Sequence, residues 1–359
     1  MNDSALPEWP TLYPDTAASG WLKSRNEDFC VYEIPLALPC GEGEHIWLEI
    51  EKSGVNTGWI AKQLADIAGV KEMDVGYAGL KDRHAITRQW FSIYLPRVEI
   101  PDFSALEQTS SDEQVRILQI RRHSKKLRRG ELLGNRFEIR LRDIIGETEA
   151  LERNLSLIQQ GGVPNYFGEQ RFGHQGGNID AGRKMLSGEL SVKHRGKKSM
   201  YLSAVRSLIF NEVLAQRIRM GNVSQIIDGD VASEQMINGT AIATAPLWGR
   251  GRLATSGEAL ALETDIASRY PEVCDGLEHR GLKQERRALL AWPEQFSWQW
   301  LSSEPEIART DDPAWRGSSG KDLALRFSLA SGYYATSVIR ELLTALEPTP
   351  AWQLESASA

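Results

Sequence analysis

"NRFEIRLR" (Asn135 to Arg142) sets Phe137, Ile139 and Leu141 on one side of an extended chain and Arg136, Glu138, Arg140 and Arg142 on the other. That period of two is the mark of a half-buried strand. It returns far down the chain in "LALRFSLASG" (Leu323 to Gly332), through Leu323, Leu325, Phe327 and Leu329. Upstream, "EHIWLEI" alternates through Ile46, Leu48 and Ile50, and "QWFSIYL" through Phe91, Ile93 and Leu95. Between those two runs, "NTGWIAKQLADIAGV" spaces Trp59, Ile60, Leu64 and Ile67 as one face of a helix, with Asn56 placed to cap it. Strands around occasional helices, without strict alternation of the two, predict the α+β class with a largely antiparallel mixed sheet.

The middle of the chain has another texture. A helix ending at Gly161-Gly162 leads into a loop rich in Gly, Asn and aromatics, and "SMYLSAVRSLIFNEVLAQRIRMG" is a long amphipathic helix with Leu202, Val205, Leu208, Ile209 and Val213 as its stripe. Residues 225–290 carry only weak helix and loop signals. Strand chemistry at both ends predicts one sheet domain from residues 1–160 and 309–359, with a more helical domain inserted over 161–308. The boundary loops would then act as a hinge.

Composition narrows the class. Hydrophobic content of 41% and charged content of 25% over 359 residues are those of an ordinary globular protein of about two domains. No apolar run reaches the length of a membrane span, and the first twenty residues lack the basic head and apolar stretch of a secretion signal. Cys30, Cys40 and Cys274 are scattered and odd in number, which fits a reducing, cytoplasmic setting. The net charge of −6 excludes a body coated in cation but not a local basic stripe.

Such a stripe exists. "RRHSKKLRRG" holds Arg121, Arg122, Lys125, Lys126, Arg128 and Arg129, and arginines recur on the polar side of the following strand, a distribution that points to phosphate. A second cluster is "VKHRGKK" (Val192 to Lys198). "VPNYFGEQRFGHQGGN" interleaves Tyr166, Phe167 and Phe172 with Arg171. Bases stack on aromatics and phosphates pair with arginine, but anchoring of a glycine-rich loop in a core explains the same aromatics slightly better. The six histidines stand apart at no ligand spacing, so no metal is expected. "GEGEH" and "GGVPNYFG" match neither a Walker loop nor a dinucleotide fingerprint, so no cofactor is expected either. In "GYAGLKDRHAITRQWF" (Gly76 to Phe91), Asp82 sits between Lys81 and Arg83 at a turn before an alternating run. Such a triplet is usually an exposed ion pair. A carboxylate kept ionised by cations also suits a nucleophile better than a proton donor.

"GYAGLKDRHA" resembles the catalytic motif of the TruD family, the pseudouridine synthases that modify uridine 13 of tRNA. "NEDFCVYEIP", "GEGEHIWLEIEKSGVNT", "HSKKLRRGELLGNRFEI", "GVPNYFGEQRFG" and "ASGYYATSVIREL" resemble further family segments in family order, while residues 225–315 do so only loosely. The resemblance implies a pseudouridine-synthase catalytic domain with an inserted α/β TruD domain, tRNA as partner and no cofactor. It makes Asp82 the nucleophile and Phe29, Asn135, Phe137 and Tyr334 substrate contacts, with Lys23 as the cation near Asp82. Tyr334 stands where phenylalanine is typical, so a buried phenol would need a hydrogen-bond partner. No membrane partner is expected, and a monomer is. The chemistry agrees: turning a uracil from N1 to C5 attachment needs no redox step, but the base must leave its stack. A non-catalytic RNA binder would use the same basic face, with no reason to gather Asp82, Asn135 and Phe137. A metal-dependent nuclease would need more clustered acids than this stretch offers.

Overall fold

A computed structural model describes residues 6–96, 99–110, 113–303 and 320–347. In chain order, β1 (Ser19–Trp21), β2 (Phe29–Pro35) and β3 (His45–Ser53) precede helix α1 (Thr57–Ala68). Then come β4 (Val75–Tyr77), β5 (Ile86–Tyr94), β6 (Gln108–Thr109), β7 (Gln114–His123) and the long β8 (Leu132–Ile145). After α2 (Thr148–Gly161) follow β9 (Val163–Pro164), α3 (Gly177–Ser187), α4 (Arg195–Arg219), β10 (Ala232–Ile237) and β11 (Thr240–Leu247). Next are α5 (Gly257–Ser268), α6 (Pro271–His279), β12 (Glu285–Ala288) and β13 (Leu290–Ala291). The last elements are β14 (Glu294–Ser302), β15 (Lys321–Ala330), α7 (Ala335–Arg340) and β16 (Thr344–Leu346).

The fold is α+β, and the chain forms two compact units. One comprises Ala17–Thr148, Glu294–Tyr333 and the segment starting at Leu343; the other comprises Glu149–Pro293, Tyr334–Leu342 and the segment ending at Thr16. The first unit is built on one mixed sheet in the order β14-β15-β8-β2-β5-β3-β7-β6, antiparallel except where β2 meets β5 and β1 meets β16. The C-terminal alternating run is thus β15, hydrogen-bonded to β8 with Phe327 opposite Phe137 and Leu329 opposite Asn135. The expected bounds of the insertion need correcting. Glu294–Ser302, placed there from sequence, is β14 and pairs with β15. Conversely Tyr334–Leu342 and the segment ending at Thr16, placed with the sheet from sequence, belong to the other unit, and so does α2. There it buries Leu151, Leu155 and Ile158, and Asn154 Nδ2 donates to the carbonyls of Pro14 and Glu341. The expected boundary at 308/309 lies outside the described residues.

Helix α1 covers one part of the sheet, where Ile46, Leu48, Ile50, Phe91 and Ile93 are fully buried. The opposite face is also covered: Trp47 and Trp90 meet Ala78 and Leu127. That double burial is why Trp47 and Trp90, outward by the period of two, are buried as well. Gly76 answers to this packing, because a Cβ there would lie 2.1 Å from the Leu127 carbonyl oxygen. Gly134, beside Asn135, is equally constrained by the Leu329 carbonyl of β15.

In the second unit the expected stripe of α4 is buried as predicted, and Tyr166, Phe167 and Phe172 join the same core. The aromatics of "VPNYFGEQRFG" are therefore anchors first. The stretch read as weak helix and loop contains a three-stranded sheet, β10-β11-β12. Its hairpin turns at Asn238-Gly239, with φ of 48° and 77°. Asn-Gly with both φ positive is the tight-hairpin signal, overlooked because β10 is short and mostly polar.

Candidate active site

Cross-strand partners in a sheet point to the same face, so register alone gathers a set of side chains. On β2, Val31 lies opposite Phe137 and Glu33 opposite Asn135 of β8; Phe327 of β15 lies opposite Phe137 on its other side. Phe29 meets Phe137 edge-on with centroids 6.3 Å apart, and Phe137 stacks on Phe327 at 5.4 Å. These rings make an apolar floor.

Asp82 stands on a turn held from several directions. The Lys81 N–H donates to Thr57 Oγ1 (3.0 Å), Gln89 Nε2 donates to the Gly79 carbonyl (3.1 Å), and the Gly54 N–H donates to the Arg83 carbonyl (3.0 Å). Lys52 Nζ, on a side chain 1% exposed, donates to the backbone carbonyl of Asp82 itself at 2.8 Å. Burial pushes the Lys52 amine down to about 8; the Asp82 charge opposes that shift and the Lys81 charge adds to it.

The cations flanking Asp82 in sequence do not surround it. Lys81 turns to Glu33 Oε2 (3.2 Å) and Asn135 Oδ1 (2.8 Å), while Arg83 turns to the Gly54 carbonyl and to Glu113. Neighbours on a tight turn point in different directions, so adjacency in the chain does not make a pair. The side chain that meets the Asp82 carboxylate is Lys23, its Nζ 3.0 Å from Oδ2, and Asp82 itself is half exposed. The same ammonium lies 4.6 Å from the centre of the Phe29 ring. Lys23 has φ of 56°, a left-handed conformation that costs a lysine about 1 kcal/mol or more and is typical of sites where geometry matters more than strain. One face of the sheet unit thus carries Asp82, Lys23, Phe29, Phe137 and Asn135. A carboxylate held by an ammonium over an aromatic floor can act as a nucleophile toward a planar ring seated there.

A family profile described as tRNA pseudouridine synthase D (TruD) matches residues 12–194 and 189–342. The tRNA pseudouridine synthase D of Aeromonas salmonicida is 43% identical over 95% of this chain and 96% of its own length. That of Cellvibrio japonicus is also 43% identical, over 94% and 93%. The chain belongs to the TruD family. A crystal structure titled as a putative TruD enzyme from Methanosarcina mazei superposes with a TM-score of 0.68 over 95% of this chain and 96% of that one, at 21% identity, which supports the fold.

In this TruD chain Tyr334 lies in the unit that does not contain Asp82. Its phenol has the partner it required: Arg171 Nη2 donates to Tyr334 Oη at 2.8 Å. Arg171 also donates to Ser203 Oγ and lies 5.5 Å from the Phe167 ring centre, so it is engaged within its own unit. Arg287, which the sequence did not mark, lies 4.2 Å from the Phe167 centre and 5.7 Å from that of Tyr334.

The basic run divides. Arg121, Lys125, Arg128 and Arg129 are exposed. Lys126 donates to the Met73 carbonyl, and Arg129 lies 4.0 Å from the Tyr77 ring centre. Lys126, Arg128 and Arg129 line an open cleft of about 580 Å³ with Glu72, Met73 and Tyr77. The arginines of β8 are another matter. Arg140 is bound to Asp322 at 2.7 Å and Arg142 to Asp28 at 2.7 Å, both carboxylates being buried. Those two arginines neutralise internal acids and do not continue the basic stripe.

Sequence reasoning missed Lys52 and Glu33, although each carried a signal. Lys52 follows Ile46, Leu48 and Ile50 on the apolar face of β3, and Glu33 follows Phe29 and Val31 on that of β2. A charged residue at a buried position of an alternating strand is costly unless paired.

Proposed function

We propose that this chain isomerises uridine to pseudouridine in tRNA, at position 13, with Asp82 as nucleophile. The observation that carries the reading is the Lys23–Asp82 contact, 3.0 Å, on the face that also holds Phe29, Phe137 and Asn135. A non-catalytic binder has no use for that gathering. The carboxylate adds to C1′ of the ribose or to C6 of the base; the C1′–N1 bond breaks, the uracil turns, C1′ joins C5, the bond to Asp82 is released, and C5 loses its hydrogen as a proton while N1 takes one up. The aromatic floor receives the base once it leaves its stack. The exposed cations Arg121, Lys125, Arg128 and Arg129, with Lys126, supply phosphate contacts for a folded RNA. Tyr334 and Arg171 are assigned substrate and RNA contacts by motif alone.

The test is Asp82→Asn, which keeps shape and removes the nucleophile. Tritium release from C5-labelled uridine in tRNA should fall on the order of a thousandfold or more, with tRNA affinity nearly unchanged. Substantial turnover by this variant would sink the assignment.

A further inference from the structure

Lys81 is spent on something other than Asp82, and its partners say what. Its ammonium lies 2.8 Å from Asn135 Oδ1 and 3.2 Å from Glu33 Oε2, with side chains 6% exposed for Lys81 and 1% for Glu33. An ammonium only donates, so the amide atom facing it must be the carbonyl oxygen. Glu33 supplies the counter-charge that a buried ammonium requires. Burial pushes the Glu33 carboxyl up, and Lys81 and the Trp90 N–H oppose that shift. The far end of the amide, Asn135 Nδ2, is turned away from Lys81 and meets no protein acceptor among the described residues. Asn135 shares its strand face with Phe137, two residues on.

We infer that Lys81 is a positioning residue that locks Asn135 as a hydrogen-bond donor toward a carbonyl of the target uracil, and that this donor selects uridine over cytidine. The inference rests on the reading of the site proposed above. Uracil carries two carbonyls, at C2 and C4, on either side of its N3–H. A half-turn about the N3–C6 axis brings C5 to the place of N1 and exchanges the two carbonyls. A donor fixed in the protein therefore meets a carbonyl oxygen both before and after the base turns. Cytosine has an amino group at C4, so in one of the two orientations two donors face each other. An N–H buried without an acceptor costs more than a missing hydrogen bond, which is how a polar pocket rejects a near-isostere. Without Lys81 the amide could rotate and present its oxygen, and the distinction would vanish.

Asn135→Asp tests the donor. It keeps the size and the acceptor toward Lys81 but replaces the amide NH₂ with oxygen. The single-turnover rate of tritium release should fall about a hundredfold or more, and affinity for uridine-bearing tRNA should fall about tenfold, to the level of the cytidine-bearing tRNA. A variant retaining more than a tenth of the wild-type rate, roughly, would overturn the inference. The pair Lys81→Met with Glu33→Gln tests the positioning without leaving a lone buried charge. Its readout is the ratio of dissociation constants for tRNA bearing uridine or cytidine at the target position. Wild type should prefer uridine by about tenfold, and the double variant should approach equality. No preference in the wild type, or an unchanged ratio in the variant, refutes the role. If the double variant does not fold, Lys81→Met alone, in which the buried Glu33 can take up a proton, is read by the same ratio: equality supports the positioning and an unchanged ratio refutes it. A wild-type protein that releases no tritium condemns the proposed function instead, so the two failures are distinct.

Discussion

Two stretches of this protein are dense in charge, and they treat it in opposite ways. Around Asp82, the adjacent Lys81 and Arg83 are drawn off to Glu33, Asn135, Gly54 and Glu113, and the carboxylate is served by Lys23 from another part of the chain. Along Arg121 to Arg129 most cations stay exposed; Lys126 donates to the Met73 carbonyl, and Arg129 donates to Tyr77 Oη and lies over its ring. At the turn each charge has its own assigned partners, so replacing it should change chemistry or stability in a specific way. Along the run the charges act as a group, so their loss should be graded and sensitive to salt.

The largest expected effect beyond loss of Asp82 itself concerns Lys52. Burial pushes its folded-state amine down to about 8 from the ordinary 10.5 of a lysine. Between those values the unfolded chain holds more protons than the folded one, so folding stability should rise as pH increases from 8 to 10.5. The gain over that window is about 3 kcal/mol. Lys52→Met lacks this term, so the wild type should gain on the variant over that window in denaturant unfolding. Parallel curves would mean that Lys52 is solvated and that the turn is not clamped by a buried cation.

Next comes Lys23→Met, which removes the ion pair with Asp82 and the contact with Phe29. Single-turnover pseudouridine formation should drop roughly 30- to 100-fold, about 2–3 kcal/mol, with partial recovery in Lys23→Arg. A change of less than about threefold would make the Lys23–Asp82 contact an ordinary surface ion pair and erase the contrast with the run.

The smallest effect belongs to the run. Replacing Lys125, Lys126, Arg128 and Arg129 together by alanine should weaken tRNA binding on the order of tenfold near 0.15 M salt and flatten the slope of log affinity against log salt by about 2–3. Turnover of bound tRNA should hold. An unchanged slope would show that these cations are a solvated loop.

Much of the fold was legible because alternation is local. Phe137, Ile139 and Leu141, and Leu323 through Leu329, announce strands whatever surrounds them, and the recurrence of that pattern at both ends of the chain announces one sheet. Trp47 and Trp90 misled in a small way: the period assigns them outward, but the second face of the sheet is covered too. The Asn238-Gly239 hairpin was readable and overlooked, because the run leading into it is polar. Asp82, Phe29, Asn135 and Phe137 could be named from motif; β2 and β8 put Phe29, Asn135 and Phe137 on one face, and the Lys23 ammonium lies against both the Asp82 carboxylate and the Phe29 ring.

What the sequence determined by itself is therefore periodicity and composition: which segments are strands, which side of each is apolar, and that Lys52 and Glu33 are charges at apolar positions. The partners of those charges were decided only by the tertiary structure. Lys23 reaches Asp82, Lys52 reaches the Asp82 carbonyl, and Lys81 reaches Asn135 because strand order and register bring distant segments together. Period is a property of a few consecutive residues. Register is settled by the packing of the whole sheet against α1 and its opposite face, and a slip of one residue would turn every one of these side chains to the other side.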